Sequence, residues 1–197
     1  ATNDENGYVF RVDMRLRPSP EASPIVLPIE AAISYYESSA LAWEQAAFIR
    51  ARAAAGDKAL GDYFLKSIQP FVWRRSLDFG QLANIRKMSG QIRDHYHKGQ
   101  VLGPGYDLKR GRGGIRECEF FAQAHQLIHG GRDPGLRMAD TRKALAALAE
   151  RERIGADEAE TLSSAYQLLR TIEHRLQMLD DRQTHSLPES AADLDRA

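Results

Sequence analysis

The sequence predicts a mainly α protein, a helical bundle preceded by a short β-containing segment. Three observations predict it. From about Lys58 onward apolar residues recur every three or four positions, the period of helices that bury one face. The stretch from Tyr8 to Leu16 instead alternates, apolar at Tyr8, Phe10, Val12, Met14 and Leu16 and charged at Arg11, Asp13 and Arg15, as a half-buried strand does. Prolines and glycines gather in short segments between these runs, where they break regular structure.

After the strand, "PSPEASP" places three prolines in seven residues, which excludes helix and reads as a turn or an irregular edge. "IVLPIEAAISYYESSALAWEQAAF" has helical spacing, with Ile29, Ile33, Tyr36 and Ala40 on one face and Pro28 suited to a first turn. "FIRARAAAGD" fits a helix or a short strand; as a strand it would point Arg50 and Arg52 the same way. A boundary near Gly56 or Asp57 divides residues 1–57 from a bundle of residues 58–197.

Within the bundle, Leu60, Phe64, Leu65 and Ile68 form one apolar row, interrupted by Pro70, and Leu82, Ile85, Met88 and Ile92 form the next, with Gly99 as its stop. "QVLGPGYDLKRGRGG" is a loop with five glycines. A helix follows from about Gly114 to His129, stopped by "GGRDPG", then a short helix that Asp140 can cap and Gly155 can end. The last helix, about Asp157 to Asp181, carries Leu162, Ala165, Leu169, Ile172, Leu176 and Leu179, a seam for near-parallel helix packing. Its second row, Tyr166, Arg170, Glu173, Gln177 and Asp180, is polar and reads as a solvated face. The tail "SLPESAADLDRA" reads as frayed.

With 197 residues, one large or two small domains can form and bury roughly 70% of the unfolded surface. Lys plus Arg and Asp plus Glu are both 27, which argues against a protein that coats nucleic acid or an anionic membrane. No apolar run approaches the roughly 18 residues of a membrane span, and there is no basic-then-apolar leader. The single cysteine, Cys118, lies in a helical apolar pattern and permits no internal disulfide, so a cytoplasmic location is expected. The opening "ATNDENGYVF", without methionine, is expected to belong to a longer protein.

Asp13, among arginines, admits two readings: a charge-balancing residue on a solvated strand face, or a carboxylate in a cleft beside cations that bind an anionic substrate. The stretch "KRGRGGIRE" likewise suits a phosphate, through glycine-freed N–H groups, a helix N-terminus and the charges of Lys109, Arg110, Arg112 and Arg116, or it is a solvated basic loop. It has neither P-loop nor dinucleotide-fingerprint spacing. His125 and His129 are four apart, but "HQLIH" lacks the glutamate of a zinc protease, and no G-x-S-x-G elbow occurs.

Five stretches, "GYVFRVDMRLRPSPEASP", "WEQAAFIRAR", "IQPFVWRRSLDF", "DLKRGRGGIRECEFFAQAHQLIHGGRDPGLR" and "EHRLQMLDDRQTHSLP", together resemble the bifunctional glutamine synthetase adenylyltransferase family, from about Gly7 to Pro188. That family has two similar halves, each a polymerase-β-like nucleotidyltransferase domain followed by a helical bundle. "FVWRRSLDF", "GGIRECEF" and "LIHGGRDP" are similar to the N-terminal, adenylyl-removing half; the attaching half is expected to read "GGITDIEF" at the second place.

The resemblance implies that residues 1–57 are the end of a nucleotidyltransferase domain. It implies phosphorolysis of adenylyl-tyrosine on glutamine synthetase to ADP, use of ATP by the other half, control by a PII signal protein, and Mg²⁺ as cofactor. Asp13 matches the third catalytic carboxylate and metal ligand, with Arg15 and Arg17 offsetting phosphate charge. Lys109, Arg110, Arg112 and Arg116 would contact phosphate or nucleotide. The chain departs from the pattern in lacking the D-x-D pair after a glycine-rich turn: Asp193 and Asp195 stand at the far end without such a turn. The pair is expected upstream, and the chain alone is expected to be inactive. The alternative is a non-catalytic helical module that docks glutamine synthetase or a PII protein.

Overall fold

The computed structural model describes residues 13–14, 16–76, 79–96, 102–180 and 184–190. Its helices are α1 (Ile29–Ser38), α2 (Ala42–Phe48), α3 (Lys58–Ser67), α4 (Gln69–Val72), α5 (Phe79–Tyr96), α6 (Ile115–His129), α7 (Thr141–Glu150) and α8 (Ala156–Asp180), with a 3₁₀ turn at Pro134–Leu136. The chain is therefore mainly helical, as its periodicity predicts. Most of the expected strand, residues 8–12 and Arg15, lies outside the described residues. Leu16 to Ser23 form consecutive bends and turns, and among the described residues the sole β pairing is an isolated bridge between Asp107 and Ser186.

Two expected elements are corrected. The single helix read through Phe48 is two helices, α1 ending at Ser38 and α2 starting at Ala42, with Glu44 tying one to the other. Buried to 2% exposure, its Oε2 accepts from the Leu41 backbone N–H (2.7 Å), capping α2, and from the Tyr35 hydroxyl (3.1 Å) on α1. "FIRARAAAGD" becomes neither helix nor strand beyond Arg50: residues 51–54 are irregular. Pro70 does interrupt as expected, sitting at the start of α4 where its missing N–H costs nothing. Asp140 caps α7 through the Lys143 N–H (2.8 Å), but α7 stops at Glu150 rather than Gly155, with Glu152 in the left-handed region at φ 53°.

The first core packs Tyr36, Ala46, Ile49, Ile68, Phe71 and Val72 against Ile85, Phe120 and Leu127, so it straddles residue 57. Tyr36 stands edge-on to Phe48 (4.8 Å) and to Phe64 (5.8 Å). A second core joins Ala122, Ala144, Leu145 and Ala159, adjoined by Leu136, Ala147 and Leu148. A third sets Tyr106 and Leu108 on Leu176 of the α8 seam.

The stop signal "GGRDPG" has a packing reason as well as a conformational one. A Cβ on Gly131 would run into the backbone carbonyl of Arg74, and one on Gly130 would meet the Trp73 ring at 2.9 Å. Arg132 Nε then donates to the Arg75 carbonyl (2.9 Å), so the end of α6 rests on the irregular segment that follows α4. Gly131→Ala is expected to lower stability by about 1–3 kcal/mol through overpacking. Leu148→Ala, at a residue with 0% exposure, is expected to cost about 2–5 kcal/mol. Urea denaturation followed by circular dichroism measures both.

Candidate functional site

The glycine-rich loop is folded around its own anion. Asp107 Oδ1 accepts from the backbone N–H groups of Lys109 (2.9 Å) and Arg110 (2.8 Å), while Oδ2 pairs with Arg110 Nε (3.0 Å). Gly113 N–H donates to Glu117 Oε2 (2.8 Å) at the start of α6. The Tyr106 hydroxyl donates to the Arg112 carbonyl. Gly111 is required by close approach, since a Cβ there would meet the Asp107 carbonyl at 2.6 Å and the Tyr106 ring. Arg112 and Arg116 are exposed, and Lys109 is half-buried. Lys109, Arg110 and Arg112 thus lie on one loop, whose N–H groups at 109, 110 and 113 already meet carboxylates, and Arg116 lies in the first turn of α6.

The described start of the tail expected to fray, residues 186–190, joins residues 184–185 as a strap across this loop, and residues 191–197 lie outside the described residues. Leu108 N–H donates to the His185 carbonyl (2.8 Å), Leu187 N–H to the Tyr106 carbonyl (2.9 Å) and Gly105 N–H to the Leu187 carbonyl (3.1 Å). Leu187 packs onto the Tyr106 and Leu176 cluster. Asp193 and Asp195 lie outside the described residues.

The polar row of α8 is not a solvated face over most of its length. Tyr166 Oη donates to Glu119 Oε1 on α6 (3.1 Å), Arg170 Nη1 meets Glu173 Oε2 (2.6 Å), and Gln177 Nε2 donates to the Thr184 carbonyl (3.2 Å). Glu173 is 1% exposed, and its other oxygen lies 2.9 Å from His185 Nδ1. A row of polar residues at helical spacing looks the same whether water or partner side chains satisfy it, and here α6 and the strap do so. The side chain of Asp180 lies outside the description.

Sequence reasoning left Arg50 without a role. Its Nη1 pairs with Glu119 Oε1 (3.0 Å) and its Nη2 donates to Thr141 Oγ1, the first residue of α7. Burial disfavours the Arg50 charge, but Glu119 outweighs it and holds the guanidinium above its ordinary value. No local signal in the sequence couples Arg50 to Glu119, which lie 69 positions apart.

Of the N-terminal residues, Asp13 is exposed in irregular backbone. Arg15 lies outside the described residues. Arg17 donates from Nη1 to the Met14 carbonyl (2.9 Å) and from Nη2 to the Pro20 carbonyl (2.6 Å), so it shapes the turn that follows Asp13. Among the described residues no group of three or more His, Cys, Asp or Glu side chains is placed to hold a metal. His125 and His129 stack at 6.0 Å between ring centroids, with Phe121 4.8 Å from His125. Cys118 is buried, and burial pushes its thiol up. No helix among the described residues is long and apolar enough to cross a membrane.

Comparison with known proteins fits this layout. A glutamate-ammonia ligase adenylyltransferase family model matches residues 1–67, and a GlnD PII-uridylyltransferase family model matches residues 83–196. Similar curated proteins named bifunctional glutamine synthetase adenylyltransferase/adenylyl-removing enzyme occur in Agrobacterium fabrum (49% identity, 97% of this chain, 19% of the relative), Rhizobium meliloti (50%, 97%, 19%) and Caulobacter vibrioides (52%, 94%, 19%). The chain belongs to the bifunctional glutamine synthetase adenylyltransferase/adenylyl-removing family. It spans about a fifth of the length of these relatives. Within the family stretch it represents, the residues that match the adenylyltransferase model carry Asp13 and Arg50, and those that match the uridylyltransferase model carry the loop, Glu119 and α8.

Two predictions follow from the site's ionisable groups. Asp107→Ala should release the amides of residues 109 and 110 to fast hydrogen exchange and cost about 1 kcal/mol, since these donors are only partly buried and water can replace the carboxylate. Burial, opposed by Glu158, holds His125 below its ordinary value, and burial with Arg153 and His125 lowers His129. Because the unfolded chain then takes up protons first, this stability is present above the unfolded value of about 6.5 and is lost as pH falls through the folded values. Thermal midpoints are expected to fall between pH 7 and pH 5, and less steeply in His125→Gln.

Proposed function

We propose that the chain is part of an enzyme that regulates glutamine synthetase, removing AMP from a tyrosine of that protein and, in its other half, attaching it. The observation that carries this reading is identity of about half the residues over 97% of the chain with enzymes bearing that name. The "GGIRECEF" wording, similar to that of the removing half, supports placing the stretch there. Removal is phosphorolysis: a phosphate oxygen attacks the AMP phosphorus, the bond from phosphorus to the tyrosine oxygen breaks, the phenolate gains a proton, and ADP leaves. Phosphate and ADP are then the small-molecule partners here, ATP belongs to the attaching half, and a PII signal protein sets direction. We assign the reaction to the cytoplasm.

In this reading Asp13 orients the nucleophile or binds metal, with Arg15 and Arg17 offsetting phosphate charge. Lys109, Arg110, Arg112 and Arg116 present a basic turn to phosphate or nucleotide. Mg²⁺ is the metal such a reaction calls for. The described residues do not fit it by themselves, since they hold no group of three or more His, Cys, Asp or Glu side chains placed to bind a metal. We keep a division near residue 57 between a nucleotidyltransferase segment and the helical domain, although the first family model runs on to residue 67 and an apolar core spans the boundary.

A second reading has its own support. The helical portion alone matches a model named for PII-uridylyltransferase, so the same helices accompany a different nucleotidyl transfer, as a docking module for glutamine synthetase or a PII protein would.

ADP release from adenylylated glutamine synthetase, phosphate and Mg²⁺ tests both. A longer version carrying the D-x-D pair is expected to turn over and the 197-residue chain to show none. Asp13→Ala in the longer version should lower turnover about a hundredfold or more with its helical signal intact. Retained turnover removes the assignment of Asp13, while binding of either protein by the inactive chain supports the docking module.

A further inference from the structure

We propose that Glu119 is a positioning residue of the adenylyl-removing reaction: by holding Arg50 it sets how the N-terminal segment, with Asp13, seats on the helical bundle. The inference rests on the adenylyl-removing reading given above. Two kinds of contact join the segment to the bundle. One is apolar, with Tyr36, Ala46 and Ile49 against Phe71, Phe120 and Leu127. Such contact is strong but non-directional, so it tolerates small slides of one surface over the other.

The other kind is directional. Gln45 Nε2 donates to the Phe71 carbonyl (2.8 Å), and Arg50 spreads its guanidinium between Glu119 on α6 and Thr141 on α7. Glu119 Oε1 is shared with Tyr166 of α8, so one carboxylate oxygen is the point where three elements meet. A guanidinium fork fixes direction in a way that a lysine ammonium does not. Arg50 lies in the part that matches the adenylyltransferase model, whereas Glu119, Thr141 and Tyr166 all lie in the part that matches the uridylyltransferase model. The knot is thus a joint between the segment that carries the candidate carboxylate and helices that also serve another transfer. Displacement of a reacting group by about 1 Å costs about a hundredfold in rate, so a joint of this kind acts on turnover more than on substrate affinity.

The test uses the full-length enzyme that contains this stretch, with Glu119→Gln, Arg50→Lys and the double variant. ADP release gives kcat and the KM values for phosphate and for adenylylated glutamine synthetase, and thermal melting gives the midpoint. Each single variant is expected to lower kcat about tenfold, with both KM values and the midpoint close to those of the parent, and the double variant to be no worse than either single. Unchanged kcat in a folded Glu119→Gln enzyme overturns the inference, as does a loss that tracks a lowered midpoint or effects that multiply in the double variant. A parent enzyme without removing activity overturns the underlying reading and this inference with it; an active parent indifferent to Glu119→Gln overturns the inference alone.

Discussion

Burial of α6 is the constraint on which the rest of the structure depends. Phe120 and Leu127 enter the core shared with α1, α2 and α4, while Ala122 packs with Ala144, Leu145 and Ala159 of α7 and α8. Ile115, at its first turn, has 0% exposure. A helix enclosed on several sides leaves little water for its polar side chains, so a buried polar group on it calls for a protein partner, which His125 Nδ1 does not find among the described residues. Gln126 shows the rule: 2% exposed, it donates to the carbonyls of Leu136 (2.7 Å) and Met138 (2.8 Å), and so folds the turn after α6 back against it.

The same demand organises the charges. Formal net charge is zero, and the pairing is local as well as global: Asp107 with Arg110, Glu117 with the Gly113 N–H, Glu119 with Arg50, Glu173 with Arg170 and His185, Asp133 with Arg151. Pairs like these, in which the arginine stays partly exposed, add little stability. What they supply is direction, because a carboxylate held by two partners at under about 3.1 Å admits one arrangement of the elements that carry them. Apolar cores hold the helices together, and the carboxylates fix which turn faces which.

Helix α6 runs antiparallel to α8: Glu119 meets Tyr166, while Ala122, further along α6, shares a cluster with Ala159 and Leu162, earlier on α8. That arrangement brings the basic loop at the start of α6 to the far end of α8, where residues 184–188 return across it. A family stretch in which loop, strap and α8 support one another can present its cations on a rigid turn. Rigid placement is what binding or transfer of a phosphoryl group requires of the residues around it.

Helix positions, the Pro70 break, the Asp140 cap and the seam of α8 were legible in the sequence, because each follows from local spacing, backbone freedom or capping chemistry within a few residues. The family was legible too, in words such as "GGIRECEF" spread along the chain. The split between α1 and α2 was not, since it depends on Glu44 reaching back to Leu41 while also meeting Tyr35. Nor was the role of the polar row of α8, the strap or Arg50. Spacing reports which residues share a face and is silent about what that face meets. Hydrogen bonds between residues 69 and 91 positions apart, from Arg50 to Glu119 and to Thr141, leave no periodic trace, and only the packing of the helices decided them.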